Sequence, residues 1–174
     1  MQSSSSGRPS RRDSAFTLVE MIVVVVILAI AAAVIVPSFA GANSMKAVSG
    51  ARVIANDLEY AQNYAIATGS PVTVTFSDWN DANANSYVLS NTSGVLSHPI
   101  TKTDYRVVFS STAGLNGLQI RSVNFDGDPN VTFDALGAPD NTGDGTVQVR
   151  FSDQRYTVTV APVTGRVTVT TTGS

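Results

Sequence analysis

A long apolar run opens the regular part of the chain. Every residue from Met21 to Val36 is apolar, in the sequence MIVVVVILAIAAAVIV. A helix needs about 20 mainly apolar residues, each rising about 1.5 Å, to cross a bilayer. The stretch from Leu18 to Phe39 reaches that length, and it lacks the polar face that a soluble amphipathic helix would show. The pattern therefore predicts a membrane-embedded helix near the amino terminus.

A second helical pattern follows Pro37. Apolar residues recur there every three or four positions with polar residues between them, and Gly69 and Pro71 supply a stop. The recurring residues are Val48, Ala51, Ala55, Leu58, Ala61 and Ala65. Because proline removes a backbone donor, we expect Pro37 to kink a helix that continues through it. The pattern predicts an amphipathic stem helix over residues 40–70 whose alanine-rich side covers a sheet.

The period changes to two over residues 71–174. Several runs there alternate β-branched or aromatic residues with polar ones, which is typical of strands. They are VTVTF, SYVLS, YRVVFS, LQIRSVNF, NVTFD, TVQVRF, RYTVTVA and RVTVTT. Short turn sequences separate the last three, so these predict an antiparallel meander. A helix first and strands afterwards predict an α+β fold with an antiparallel β domain.

Charge around the apolar run indicates its orientation. Arg8, Arg11 and Arg12 precede the run, and residues 37–45 carry no charge. By the positive-inside rule, the amino end stays in the cytoplasm and the rest of the chain is exported.

Two ordinary export signals compete with a retained anchor. A secretory signal is supported by the A-x-A sequence Ala40-Gly41-Ala42, which would leave a soluble protein beginning at Asn43. Signal h-regions, however, run about 7–15 residues and are shorter than this one. A twin-arginine signal is suggested by Arg11-Arg12, but the large apolar residue expected soon after that pair is missing. Neither alternative explains Glu20, a carboxylate near the start of the apolar run.

The residues around Glu20 resemble the leader of type IV pilins and type II secretion pseudopilins. They read Phe16-Thr17-Leu18-Val19-Glu20 after a short basic segment. The resemblance implies that residues 1–15 are a leader, which a prepilin peptidase removes between Ala15 and Phe16. Ala15 stands where the family usually has glycine. N-methylation of Phe16 and retention of residues 16–39 as the membrane and filament-core helix are also implied.

The same resemblance gives Glu20 a role in assembly. A carboxylate costs roughly 2.5–3.5 kcal/mol at mid-bilayer, and an ionisable residue there usually has a partner. Cleavage would create a cationic amine at Phe16. In this family the glutamate pairs with that amine on a neighbouring subunit, which fixes the axial register of the filament.

The later sequence is similar to H-type pseudopilins (GspH/FimT-like). The similar stretches are LEYAQNYAIATGSPVTVTF, VTFDALGAP and YTVTVAPVTGRVTV. This similarity implies a minor pseudopilin of the type II secretion system, with a minor pilin of a type IV pilus as the alternative. The implied location is the bacterial inner membrane, single-pass, with the β domain in the periplasm. The implied partners are other pseudopilins or pilins, the prepilin peptidase and the inner-membrane assembly platform.

The sequence has few residues of the types that usually carry out catalysis or bind transition metals. It has no cysteine and one histidine, His98, in a predicted loop, so we expect neither an enzyme nor a cofactor. Trp79 is a candidate contact residue or loop anchor. Partial calcium-loop patterns involve Asp81, Asn83, Asn85, Asp126, Asp128, Asp140 and Asp144. Because these patterns lack a full set of ligands, we interpret them as turns.

Nucleic acid is not expected as a partner. The formal net charge is −2, whereas phosphate binding needs a basic surface. Arg155 and Arg166 stand apart in the sequence, without the clustered arginines of a DNA receptor.

Overall fold

The computed structural model describes residues 17–77 and 85–173. For residues 34–44 it describes the backbone alone. The chain forms two compact units, of which the first ends at Phe39 and the second comprises Ala40–Ser174. A single α-helix, α1 (Leu18–Thr68), contains residues 18–39 of the first unit and residues 40–68 of the second. It continues through Pro37, and the predicted kink there stays a prediction.

Helix α1 ends where the sequence predicts. Gly69 has a φ of 63°, in the left-handed region that favours glycine. The Ser70 amide donates to the Ala65 carbonyl at 3.3 Å, which is the long bond of a Schellman motif. The Thr68 hydroxyl donates to the Tyr64 carbonyl at 2.8 Å. These contacts satisfy carbonyl groups that the end of a helix leaves unpaired.

The stem part of α1 buries one stripe of small and apolar side chains. The fully buried residues are Ala47, Ala51, Ile54, Leu58, Ala61 and Ala65. Val48, predicted to lie in this stripe, is only half-buried, and Ala47 and Ile54 lie in it instead. Small residues allow the helix backbone to approach the strands closely. At Gly50, a Cβ would lie about 2.5 Å from Leu118 Cδ1.

The described strands are numbered β1 to β9 along the chain and form two antiparallel sheets. The first sheet has the order β3-β2-β1-β6, and β4 also pairs with β2. Its strands are β1 (Val72–Ser77), β2 (Ser86–Asn91), β3 (Gly94–Val95), β4 (Arg106–Val108) and β6 (Asn130–Phe133). The short strand β3 was not predicted from sequence, because two residues give no measurable alternation.

The second sheet has the order β5-β7-β8-β9. Its strands are β5 (Gln119–Asn124), β7 (Gly145–Phe151), β8 (Gln154–Val160) and β9 (Val167–Thr171). Strands β7, β8 and β9 pair in succession, which confirms the predicted meander. The α+β fold with a helix packed on antiparallel strands is confirmed as well.

One hydrophobic core joins the stem part of α1 to both sheets. Its buried aromatic residues include Phe76, Tyr87 and Phe125. The Phe76 and Phe125 rings stack with centroids 6.1 Å apart and so connect the first sheet to the segment that follows β5. Large aromatic side chains supply much of the apolar area that such a core removes from water.

Candidate assembly site

The first turn of α1 contains the carboxylate predicted to act in assembly. The Glu20 amide donates to the Thr17 hydroxyl at 3.2 Å, and the Met21 amide donates to the Thr17 carbonyl at 3.2 Å. Thr17 is therefore the N-cap, and Glu20 stands three residues later, at the acidic position of a capping box. Our sequence interpretation missed this signal, although T-x-x-E before an apolar run is readable from sequence. A negative charge in the first turn also interacts favourably with the helix dipole, whose positive end lies at the amino terminus of the helix.

The helix surface after Glu20 is apolar and exposed. Every side chain from Leu18 to Ala33 is exposed, including large ones such as Leu28 at 62% and Ile30 at 63%. A shallow apolar groove of about 290 Å³ runs along it and is lined by Leu18, Met21, Ile22, Val25 and Val26. An apolar surface of this size is typical of a face that lipid or another protein covers.

Within residues 17–77 and 85–173, no helix is both long enough and apolar enough to cross a membrane. Ala15 and Phe16, the predicted processing residues, lie outside the described residues. So do Trp79, Asp81 and Asn83.

Gln62 on the stem helix holds two distant loops. Its side-chain amide donates to the Gly137 carbonyl at 2.8 Å and to the Thr164 carbonyl at 2.9 Å. Gly137 ends the Phe-x-x-x-Gly turn, and Gly165 begins the Gly-Arg-Val segment that leads into β9. The structure thus brings two separate sequence motifs together at one helical residue.

Asp57 on the stem helix is the acceptor of a second network. The Tyr105 hydroxyl donates to Asp57 Oδ1 at 2.9 Å, and the Tyr87 hydroxyl donates to Oδ2. Burial raises the pKa of the Asp57 carboxyl, while the hydrogen bonds from Tyr87 and Tyr105 and the nearby His98 oppose that rise. Burial followed by the Asp57 charge raises the pKa of both tyrosines. Sequence reasoning missed this network because its members are far apart along the chain.

His98 lies in a loop, where its ring contacts the Tyr105 ring at a centroid distance of 4.6 Å. Its Nδ1 accepts hydrogen bonds from the Ile100 and Thr101 amides, both at 3.2 Å. The histidine therefore organises the turn that follows it.

The acidic loops are built as turns where the structure describes them. Asp126, with a φ of 55°, accepts from the amide and hydroxyl of Thr142 and from the Gly143 amide. The Thr142 amide, followed by its hydroxyl, lowers the pKa of Asp126. Asn85 Oδ1 accepts from the Ile120 amide at 2.7 Å. Among the described residues, no group of three or more His, Cys, Asp or Glu side chains is placed to hold a metal ion.

Comparison with known proteins places this domain in a family. The sequence profile described as type II transport protein GspH matches residues 50–172. The chain belongs to the GspH family. A second profile, the prokaryotic N-terminal methylation motif, matches residues 10–36 and so includes Ala15, Phe16 and Glu20. No curated protein matches the sequence.

Two solved structures share the fold. The minor pseudopilin EpsH from the type 2 secretion system of Vibrio cholerae is 15% identical, with a TM-score of 0.53; the match covers 74% of this chain and 99% of EpsH. The type IV minor pilin FimU of Pseudomonas aeruginosa is 16% identical, with a TM-score of 0.51; the match covers 71% of this chain and 87% of FimU.

Proposed function

We propose that this chain is a structural subunit of a periplasmic pseudopilus, a minor pseudopilin of the type II secretion system. The observation that carries the proposal is the exposed apolar surface of residues 18–33, which contains one carboxylate, Glu20, and lies within the match to the methylation motif. The GspH match over residues 50–172 favours the type II machine. Subunits of this kind act by assembly, so the proposed role is structural and involves no catalysis or cofactor.

The proposed processing, membrane insertion and assembly of the chain follow from the methylation motif. A prepilin peptidase cuts between Ala15 and Phe16, and residues 16–39 hold the chain in the bacterial inner membrane with the β domain in the periplasm. On assembly, the apolar surface from Leu18 onward packs against helices of neighbouring subunits. Glu20 pairs with the Phe16 amine of one neighbour, because two opposite charges in an apolar filament core attract strongly and either one alone is costly there.

The mature amino terminus is the first test of this proposal. Mass spectrometry of the protein isolated from membranes should give a chain that begins at N-methylated Phe16. A chain that begins at Asn43 would instead indicate an ordinary secretory signal and a freely exported β domain.

Glu20 can be tested separately from its capping role. Glutamine also completes a capping box, so Glu20→Gln keeps the helix start while it removes the charge. We expect cleavage to be normal and incorporation into filaments to be lost. Glu59→Gln is the matched control, because Glu59 is an exposed carboxylate on the same helix, and it should assemble normally. Normal assembly of Glu20→Gln would leave Glu20 with a capping role alone.

The type IV pilus is the alternative machine, and the fold shared with FimU favours it as a second candidate. A strain that lacks the gene distinguishes the two. Lost release of extracellular enzymes with intact twitching and DNA uptake supports the type II system. The opposite result supports a minor pilin, with the same anchor and the same Glu20 chemistry.

A further inference from the structure

Strand β9 forms one edge of the second sheet and, within the described part of the chain, pairs with β8 alone. Two hydrogen bonds fix the direction of its backbone groups. The Ala161 amide donates to the Arg166 carbonyl at 2.9 Å. The Thr172 amide donates to the Arg155 carbonyl at 2.9 Å. Because bonding to a neighbour alternates along an antiparallel strand, the even-numbered residues of β9 bond to β8.

The odd-numbered residues of β9 therefore direct their backbone groups away from β8. These residues are Val167, Val169 and Thr171, and none of their amides or carbonyls has a backbone partner among the described residues. Groups spaced two residues apart in this way match the donors and acceptors of another extended strand. Thr171 is exposed and Val169 is half-buried, so the outer edge of β9 can be reached by another molecule.

The other edges of the two sheets are covered or interrupted. At β6, the Thr132 amide donates to Asp140 Oδ1 at 2.9 Å, and the Asp140 amide donates to the Thr132 carbonyl at 3.0 Å. At β5, the register shifts between Ile120 and Ser122, and the Ile120 amide donates to Asn85 Oδ1 at 2.7 Å. Strands β3 and β4 have only two and three residues. Covered edges, irregular register and short strands all prevent unwanted strand pairing.

Strand β9 has none of these protections. Its five residues, with the sequence VTVTT, include no charged residue and no proline. Its pairing with β8 runs from end to end without a shift in register. A regular, uncharged edge of this length is a template for strand addition.

The side chains of β9 indicate which sequences would fit beside it. Val167 and Val169 lie on the core side of the sheet but are only half-buried. Their partners on β8 are fully buried, namely Val160 and Val158. Apolar side chains on an added strand would extend this apolar surface and cover the two β9 valines. On the opposite face Thr170 is exposed, so polar side chains suit the alternate positions.

We propose that the outer edge of β9 binds an extended segment of another protein, which adds a strand to the second sheet. In this mode of recognition, main-chain hydrogen bonds supply affinity and alternating side chains supply specificity. The segment is defined by its chemistry, as a short stretch without proline in which apolar and polar residues alternate. This interaction is additional to assembly through α1 and does not depend on which machine the chain serves.

A single extended segment fits this edge better than a second copy of the chain. Two folded copies that met only along β9 would each contribute its five residues. A stable interface between folded proteins involves about 20–30 residues on each side. An extended segment, in contrast, needs only the strand edge and the half-buried valines beside it.

The test uses the full chain in detergent and a short fluorescent peptide in which threonine and valine alternate. N-methylation of alternate amides blocks one edge of the peptide, so it cannot build sheets with itself but keeps one edge for pairing. The control peptide is N-methylated at every residue and reports partition into micelles. By fluorescence anisotropy, we expect the first peptide to bind with little dependence on ionic strength, because the contacts are uncharged. The control peptide should not bind.

Val169→Pro tests the edge directly. The Val169 amide points away from β8, so proline removes an outward donor and no bond of the β8–β9 ladder. We expect peptide binding to weaken about tenfold or more. Thr92→Pro is the matched control, because Thr92 is an exposed turn residue between β2 and β3, and its affinity should equal that of the wild type. If circular dichroism shows that Val169→Pro folds poorly, Thr171→Pro should still weaken binding.

Amide hydrogen exchange locates the bound peptide. The amides of Val167, Val169 and Thr171 should exchange more slowly when the peptide is bound, because hydrogen bonding protects them. The Thr170 amide faces β8 and should change little.

Three results would overturn the proposal. One is equal binding of the two peptides, or binding of neither, because pairing through the backbone would then be absent. Another is binding that neither proline substitution in β9 weakens. The third is self-association by light scattering that Val169→Pro abolishes, because the occupant would then be a second copy of this chain.

Discussion

The side-chain amide of Gln62 occupies the space that a Cβ on Gly165 would take. Such an atom would lie 3.0 Å from the Gly137 carbonyl oxygen and still closer to the Gln62 amide nitrogen. That nitrogen donates to both Gly137 and Thr164. The absence of a side chain at Gly165 therefore lets one glutamine hold two loops against the stem helix.

Gly165→Ala should lower the free energy of unfolding by about 2–4 kcal/mol, from backbone strain at a φ of 64° together with overpacking. Gly69→Ala is the control, because Gly69 has a φ of 63° and nothing within 4 Å of its Cβ position. Gly69→Ala should lower the free energy of unfolding by only about 1–3 kcal/mol, the cost of the strain itself. Urea unfolding followed by circular dichroism measures both. Equal losses would show that the contact with Gln62 contributes nothing.

Asp57 should make stability depend on pH on the acidic side of neutrality. Burial raises the pKa of Asp57 above its ordinary value of 3.8, so the folded chain binds this proton more tightly than the unfolded chain does. The resulting stabilisation is fully present below pH 3.8 and is lost as the pH rises through the folded pKa. The stability difference between wild type and Asp57→Asn should therefore fall as the pH is raised above 3.8 towards neutrality. A difference that stays constant with pH would contradict the assignment.

Tyr87 and Tyr105 should make the fold sensitive to alkali. Burial and the Asp57 charge raise the pKa of both hydroxyls above the ordinary value of 10.0. Their contribution is fully present below pH 10.0 and is lost as the pH rises towards the folded pKa values, because the unfolded chain ionises first. Between pH 9 and pH 11, about one unit either side of the ordinary tyrosine pKa of 10.0, Tyr87→Phe should lose less stability than the wild type does. Parallel curves for the two proteins would exclude Tyr87 as a source of the effect.

Val163 has an unfavourable backbone conformation. Its φ is 66°, and the residue is 80% exposed. A β-branched residue is strained in this region, whereas asparagine tolerates it. Val163→Asn should therefore raise the free energy of unfolding by about 1 kcal/mol. Val95→Asn, at an exposed strand position without a positive φ, should give no gain. A lower stability of Val163→Asn would indicate that the contacts of the valine side chain stabilise the fold by more than the backbone strain destabilises it.

Sequence periodicity predicted most of the secondary structure correctly. A stretch of helix reveals itself by apolar residues three or four apart, and a strand by alternation, because each pattern depends only on neighbouring residues. The end of α1 at Gly69 is equally local. The capping box from Thr17 to Glu20 was readable in the same way but was missed, because the glutamate was interpreted only as an assembly residue.

Tertiary structure alone decided which distant residues meet. Gln62 contacts residues 75 and 102 positions away, and Asp57 accepts hydrogen bonds from tyrosines 30 and 48 positions away. Arg155, which stands apart in the sequence, lies opposite Arg150 and shares a groove with Arg121.

The physical reason is the difference between local and long-range constraints. Backbone periodicity and short turns were enough to predict the α+β class, the apolar helix with its carboxylate, and the meander of β7, β8 and β9. The division of the strands between two sheets, the register that pairs two arginines, and the two networks on α1 depend on the path of the whole chain. Alternation determines which face a side chain occupies, but not which strand lies beside it.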